Sequence, residues 1–216
     1  MLVVEDQQAL AGALKVAIDA QADLECVGAV RSVEDAVRLV AAHRPAVVLM
    51  DVQLPGVDGI EGARRIKALD PAIRILILTG LANPDVLAEA AAAGAAGFLS
   101  KDSPFPEILT AIRAPLDGKI LVEGTTLEAL LARIRPGGSE PPGASAGLTA
   151  REREVLGLMG QGLAPGAIAE RLVVSVHTAR GYVKNIMLKL GAHSQLEAVV
   201  VATRTGLLPR FSPPAN

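Results

Sequence analysis

Over residues 1–115, short β-branched runs alternate five times with stretches of helical periodicity; after a proline- and glycine-rich break the strand pattern stops altogether. The runs are Leu2–Val4, Leu24–Val30, Ala46–Met50, Ile73–Leu78 and Gly97–Leu99, and the helical stretches lie near 8–20, 33–43, 59–69, 84–93 and 104–113. Strands that alternate with helices close into a parallel sheet, because each crossover must travel back along one face before the next strand begins. The expectation is an α/β, doubly wound, five-stranded domain of order 2-1-3-4-5. Ser32 three residues before Asp35, and Asn83 directly before Pro84, supply the capping chemistry of two helix starts.

The break spans residues 136–147, where proline, glycine and small polar residues leave little that could be buried. A further helix is expected near 125–134, leading into it. Beyond it the pattern is helical only, in four segments. Thr149 with Glu152 forms a capping box, Pro165 opens the second helix, Ser175 caps the third, and Ser194 with Glu197 opens the fourth. Gly191 and Gly206 stand where helices end. Charge divides at the same place: residues 1–146 carry 13 Lys+Arg against 19 Asp+Glu, and residues 147–216 carry 8 against 4. Only the second part is suited to a polyanion. Cys26 is the sole cysteine, which excludes a disulfide framework and fits a reducing cytoplasm. The start, Met-Leu-Val-Val-Glu-Asp, lacks a signal-peptide n-region, and Glu89 interrupts the apolar run nearest to a membrane span of ~18 residues. A cytoplasmic protein with no membrane partner is expected.

In a doubly wound sheet, ligands bind beyond the carboxyl ends of the strands, where strand order reverses. Glu5 and Asp6 follow the first strand and Asp51 closes the third, so three carboxylates converge there. Like charges this close need a cation, and an all-oxygen site with water access suits Mg²⁺. Thr79 closes the fourth strand with a hydroxyl, and Lys101 follows the fifth with an ammonium. Together they provide a nucleophile, a metal site, a hydroxyl and a cation for in-line phosphoryl transfer. Each residue alone has a plainer reading, as a turn, cap or solvated group; their shared edge distinguishes them.

At the other end, Ala179, Val183, Ile186 and Leu190 recur at i, i+4, i+7 and i+11 and form a stripe to be buried. The opposite face carries His177, Arg180, Gly181 and Lys184, placed for the major groove, and Thr178, Tyr182, Asn185 and Lys189 lie along an edge that could meet phosphates. A solvated face on a small bundle is the competing reading.

Val-Val-Glu-Asp-Gln (3–7), the run through Asp51 to Val-Gln-Leu-Pro-Gly-Val-Asp-Gly (52–59), Leu-Thr-Gly (78–80) and Gly-Phe-Leu-Ser-Lys-Asp (97–102) resemble the receiver domain of bacterial response regulators. The resemblance implies a flavodoxin-like receiver in which a histidine kinase phosphorylates Asp51. It further implies that Asp6, Asp51 and the backbone carbonyl of Gln53 hold Mg²⁺ with Glu5 in support. Thr79 and Phe98 would rearrange on phosphorylation, with Pro55 and Gly59 shaping the pocket floor. Two departures stand out: the first strand begins at Met1 itself, and Gly80 replaces the alanine more usual after the switch threonine.

The segments around Thr149–Leu156, Ile168–Leu172, Ser175–Lys184 and Lys189–Ser194 resemble the LuxR/NarL-type helix-turn-helix. That likeness implies DNA contacts through Arg180 and Lys184, dimerisation through the last helix near 195–205, and paired half-sites. Gly181 stands where the family more often has asparagine or another longer residue, and Ala164, Gly166 and Ala167 replace a polar run that usually caps the second helix. The resulting expectation is a receiver over 1–117, a linker with a short helix over 118–146, and a helix-turn-helix over 147–210. Its function would be that of a two-component transcription regulator rather than an enzyme. Expected partners are a sensor kinase, double-stranded DNA, a second copy on activation and, as a candidate, RNA polymerase. A regulator that works without phosphorylation is the alternative. An Asp-nucleophile phosphatase is less favoured, because Gln53 occupies the position where such hydrolases need a second aspartate, and neither a Walker loop nor G-x-G-x-x-G appears.

Overall fold

The computed structural model describes residues 1–80, 83–114, 121–122, 131 and 147–208. The first part alternates β1 (Leu2–Val4), α1 (Gln8–Asp19), β2 (Gly28–Val30), α2 (Val33–His43), β3 (Val47–Asp51), α3 (Gly59–Leu69), β4 (Arg74–Thr79), α4 (Pro84–Ala92), β5 (Gly97–Ser100) and α5 (Phe105–Arg113). The strands pair in parallel in the expected order 2-1-3-4-5, and a sixth, β6 (Leu121–Val122), adds to the outer edge of β5. That two-residue strand was not expected; a run this short carries no periodicity of its own. Apart from these two residues and Leu131, which is helical, the expected linker lies outside the described residues.

Alternate strand residues bury on opposite faces of the sheet. Val3, Leu49, Leu76, Leu78 and Leu99 pack with Leu14 and Ile18 of α1 and Ile108 and Ile112 of α5. Val4, Val48, Met50, Ile75, Ile77 and Phe98 pack with α2, α3 and α4 through Ala36, Val40, Ala63, Ile66, Leu87 and Ala91. Side chains caps hold the helix starts: Ser32 accepts from the Asp35 amide, Asp58 from Glu61 and Asn83 from Asp85.

One expected strand is shorter than its hydrophobic run. Between Leu24 and Val27 the chain is tied to α1, with the Cys26 amide donating to Asp19 Oδ1 at 2.8 Å, and only Gly28–Val30 pair with β1. Cys26 is therefore in a loop, although buried, and its Sγ lies 3.1 Å from the Gly28 carbonyl.

The second part contains α6 (Ala150–Gly160), α7 (Pro165–Leu172), α8 (Val176–Leu190) and α9 (Gln195–Arg204). Thr149 and Glu152 form the full capping box of α6, Ser175 caps α8 and Gly191 ends it in the left-handed region at φ 64°. Ser194 caps α9, while the Glu197 carboxylate accepts from the His193 amide instead of closing a box. Val155, Leu156, Met159, Ile168, Val183, Ile186, Leu196 and Val199 form this core, continuous with the α2–α4 side of the first part. The join is made by α9, which packs on α6 and α8 and also against α4.

Candidate phosphorylation site and DNA-binding face

β1 and β3 lie side by side, so their carboxyl ends bring Glu5, Asp6 and Asp51 together with candidate ligand oxygens within 4.8 Å of one another. Glu5 and Asp51 are almost fully buried, with side-chain exposures of 1% and 2%. Lys101 reaches between them, its Nζ 2.9 Å from Glu5 Oε1 and 2.8 Å from Asp51 Oδ2. Backbone amides complete part of the shell: Gln7 donates to Glu5 Oε1 and Gln53 to Asp51 Oδ1, both at 3.1 Å. Glu5 Oε2 is buried with no hydrogen-bond partner.

Three carboxylates facing one ammonium leave two negative charges, and one buried carboxylate oxygen is unsatisfied. Both observations fit a divalent cation, and an all-oxygen donor set fits Mg²⁺.

Burial drives the Glu5 pKa above the usual carboxylate value, with Asp51 adding to it and the bonds from Lys101 and Gln7 opposing. Burial would lower the Lys101 pKa, but its bonds to Asp51 and Glu5 prevail and raise it. Between the ordinary pKa of a glutamate and the raised value of Glu5, the folded chain holds more protons than the unfolded one. Glu5 therefore subtracts stability as pH rises through that window. Without divalent cations, wild type should lose stability relative to Glu5→Gln over that rise, as read by urea unfolding at a series of pH values; a pH-independent difference would refute the assignment.

The pocket floor depends on Gly59, the first residue of α3. A Cβ there would overlap the Asp51 carbonyl oxygen and crowd Val52, and the Gly59 amide donates to the Val52 carbonyl at 2.9 Å. Pro55 lies exposed in the intervening loop. Thr79 follows Leu78, the register partner of Asp51, on the same sheet edge, and its carbonyl accepts from the Lys101 amide at 2.9 Å. Phe98 is fully buried on the α4 side of the sheet. Arg31 was not singled out by sequence. Its Nε donates to the Asp6 carbonyl at 3.0 Å and steadies the β1–α1 loop, a link across 25 residues that no local pattern signals.

In the helical part, α8 buries Ala179, Val183 and Ile186, with Leu190 and Tyr182 partly buried, and exposes His177, Thr178, Arg180, Gly181, Lys184 and Asn185. Lys189 is placed otherwise. Its Nζ pairs with Glu152 Oε2 at 2.7 Å and bonds the Gly147 carbonyl at 3.0 Å, so its charge secures the α6 cap, although the side chain remains 36% exposed. That bond is the first cause of the lowered Glu152 pKa. α7 starts at Pro165, and Ala164 before it provides no side-chain cap.

Residues 1–113 match the model for the response regulator receiver domain, and residues 146–202 match that for bacterial regulatory proteins of the LuxR family. The chain belongs to the LuxR/NarL family of response regulators. It is 35% identical over 206 residues to the transcriptional regulatory protein DesR of Bacillus subtilis, covering 95% of this chain and 97% of DesR. To the DNA-binding transcriptional activator DevR/DosR of Mycobacterium tuberculosis it is 34% identical, covering 100% and 98%. A solved structure of the RcsB response regulator from Salmonella typhimurium shares the fold, with a TM-score of 0.52 at 22% identity over 92% of this chain and 95% of that one. This response regulator is thus a two-component transcriptional regulator with a receiver and a LuxR-type DNA-binding domain. Its relatives are transcription regulators rather than enzymes, and the family implies a sensor kinase partner and DNA binding. None of the described helices is long and apolar enough to cross a membrane.

Proposed function

We propose that Asp51 accepts the phosphoryl group and that its charging undocks α9 from α4, freeing the helix-turn-helix to pair on DNA. The observation that carries this reading is the buried Glu5–Lys101–Asp51 bridge with its unsatisfied Glu5 oxygen. In the transfer, an Asp51 oxygen bonds phosphorus while the bond to the kinase's histidine nitrogen breaks, its electron pair leaving with the imidazole. Asp6, Asp51 and the Gln53 carbonyl would hold Mg²⁺, with Glu5 in support. Bound Mg²⁺ offsets charge on the phosphoryl oxygens.

A phosphorylated Asp51 presents oxygens farther from the strand than its own carboxylate, so Lys101 turns from Glu5 toward them and the Thr79 hydroxyl donates to another. Phe98, packed in the same core as Leu87 and Ala91 of α4, follows the displaced β4 end. Docking of α9 is sensitive to that packing. Seven of its residues are buried, and Glu197 acts on Lys67 of α3 across the join, opposing the burial that lowers the lysine's pKa. While α4 covers it, α9 is closed to a second copy, which makes docking and dimerisation competing states.

The domains are then a receiver over 1–117, a linker over 118–146 and a helix-turn-helix over 147–210. DNA is met by His177, Thr178, Arg180, Gly181 and Lys184. RNA polymerase is the next partner at a promoter, and the setting is the cytoplasm. Incubation with acetyl phosphate and Mg²⁺, followed by intact-mass analysis, should show one phosphoryl group on wild type and none on Asp51→Asn. Equal uptake by both would reject Asp51 as the acceptor.

A further inference from the structure

We propose that Val176 is a specificity-determining residue of the DNA interface, placed to read the 5-methyl group of a thymine one helical turn ahead of Arg180. The proposal rests on the DNA-binding role of α8 and extends it to what the helix recognises.

Val176 is the first residue of α8 and is 45% exposed. With Arg180 and Lys184 it stands at i, i+4 and i+8, so the three lie along one ridge of the helix, which begins beside the buried Ala179 and Val183 and runs round onto the exposed face. In helix-turn-helix proteins the N-terminal residues of the second helix meet the base edges. A valine there has no hydrogen-bonding group. Among the major-groove edges its distinctive partner is the thymine methyl, an apolar group that adenine, guanine and cytosine lack.

Three neighbouring features favour close approach. Gly181 lies on the exposed side of α8, and a Cβ added there would meet nothing within 4 Å. Its missing side chain lets the helix backbone sit nearer the bases, which matters for a side chain as short as valine. The first turn of α8 carries no acidic residue, so nothing there repels the phosphates flanking the contacted base. The turn before α8 presents a second apolar group, Val173, 92% exposed and held in the left-handed region at φ 53°. A β-branched side chain at that conformation is strained, and glycine or asparagine would fill the turn at lower cost. Val173 and Val176 are thus two exposed apolar side chains at the entry to the recognition helix, and a methyl contact would give Val176 an apolar partner.

Sites would first be selected from random DNA with the full chain treated with acetyl phosphate and Mg²⁺. Each thymine of a half-site would then be replaced singly by deoxyuridine, which removes only the methyl group. Loss of one methyl contact predicts about fourfold weaker binding at one thymine per half-site. Val176→Ser should bind the original site about fourfold more weakly and be indifferent to deoxyuridine there. Val173→Asn, which tolerates the left-handed turn, should keep that sensitivity and so separates loss of the Val176 contact from disturbance of the turn. Wild-type indifference to deoxyuridine at every thymine, half-sites lacking thymine, or undiminished sensitivity in Val176→Ser would each overturn the proposal while leaving specific DNA binding intact. Failure to enrich any sequence would overturn both this proposal and the DNA-binding reading beneath it.

Discussion

Lys101→Met is expected to lose about 3 kcal/mol of unfolding free energy in divalent-free buffer at neutral pH, because it leaves buried carboxylates without their cation. Lys101 is only 14% exposed and is, among the described residues, the one ammonium bonded to both Glu5 and Asp51. Methionine keeps most of the stem's volume, so packing changes little and the loss is electrostatic. Two consequences follow. Glu5, already raised by burial, should take up a proton more readily in the variant, so the deficit shrinks as pH falls. Mg²⁺ should also restore more stability to the variant than it adds to wild type, since the metal then supplies the missing positive charge. Urea titrations with EDTA or Mg²⁺ measure both. A loss below about 0.5 kcal/mol would instead describe an ordinary surface lysine.

Gly59→Ala is expected to be as damaging, for a steric reason. A methyl group at this position would overlap the carbonyl of Asp51 itself, and backbone cannot rotate aside as a side chain can. Either α3 shifts outward or β3 does, at about 3 kcal/mol by the usual cost of overpacking. Both movements displace Asp51 from Lys101, so uptake from acetyl phosphate should fall along with the melting temperature. Gly12 of α1 is the contrasting control. It is exposed inside a helix with nothing within 4 Å of an added Cβ, and alanine there should gain up to about 1 kcal/mol. Equal tolerance at the two positions would contradict the close approach of α3 to Asp51.

Features set by short-range chemistry were legible in the sequence. The helices 33–43 and 59–69 fall where periodicity and the Ser32 cap placed them, and the carboxylates meet because strand ends share an edge. What escaped depends on distance along the chain. Lys189 sits on the edge expected to face phosphate, yet its partner Glu152 is 37 residues away and holds it to α6. β6 exists only because β5 offers it an edge, and the run from Leu24 yields its first residues to a loop because Asp19 captures the Cys26 amide. Docking of α9 on α4 was likewise out of reach. An apolar helix face announces that it will be covered, and the composition of α9 suits a second copy as well as α4.

Sedimentation velocity of the full chain, with and without acetyl phosphate and Mg²⁺, tests most directly whether charge on Asp51 releases α9. Wild type is expected to pass from monomer to dimer on phosphorylation, and Asp51→Asn to remain monomeric throughout. A wild type whose sedimentation does not change once phosphorylated, or an Asp51→Asn variant that dimerises under the same treatment, would contradict that release.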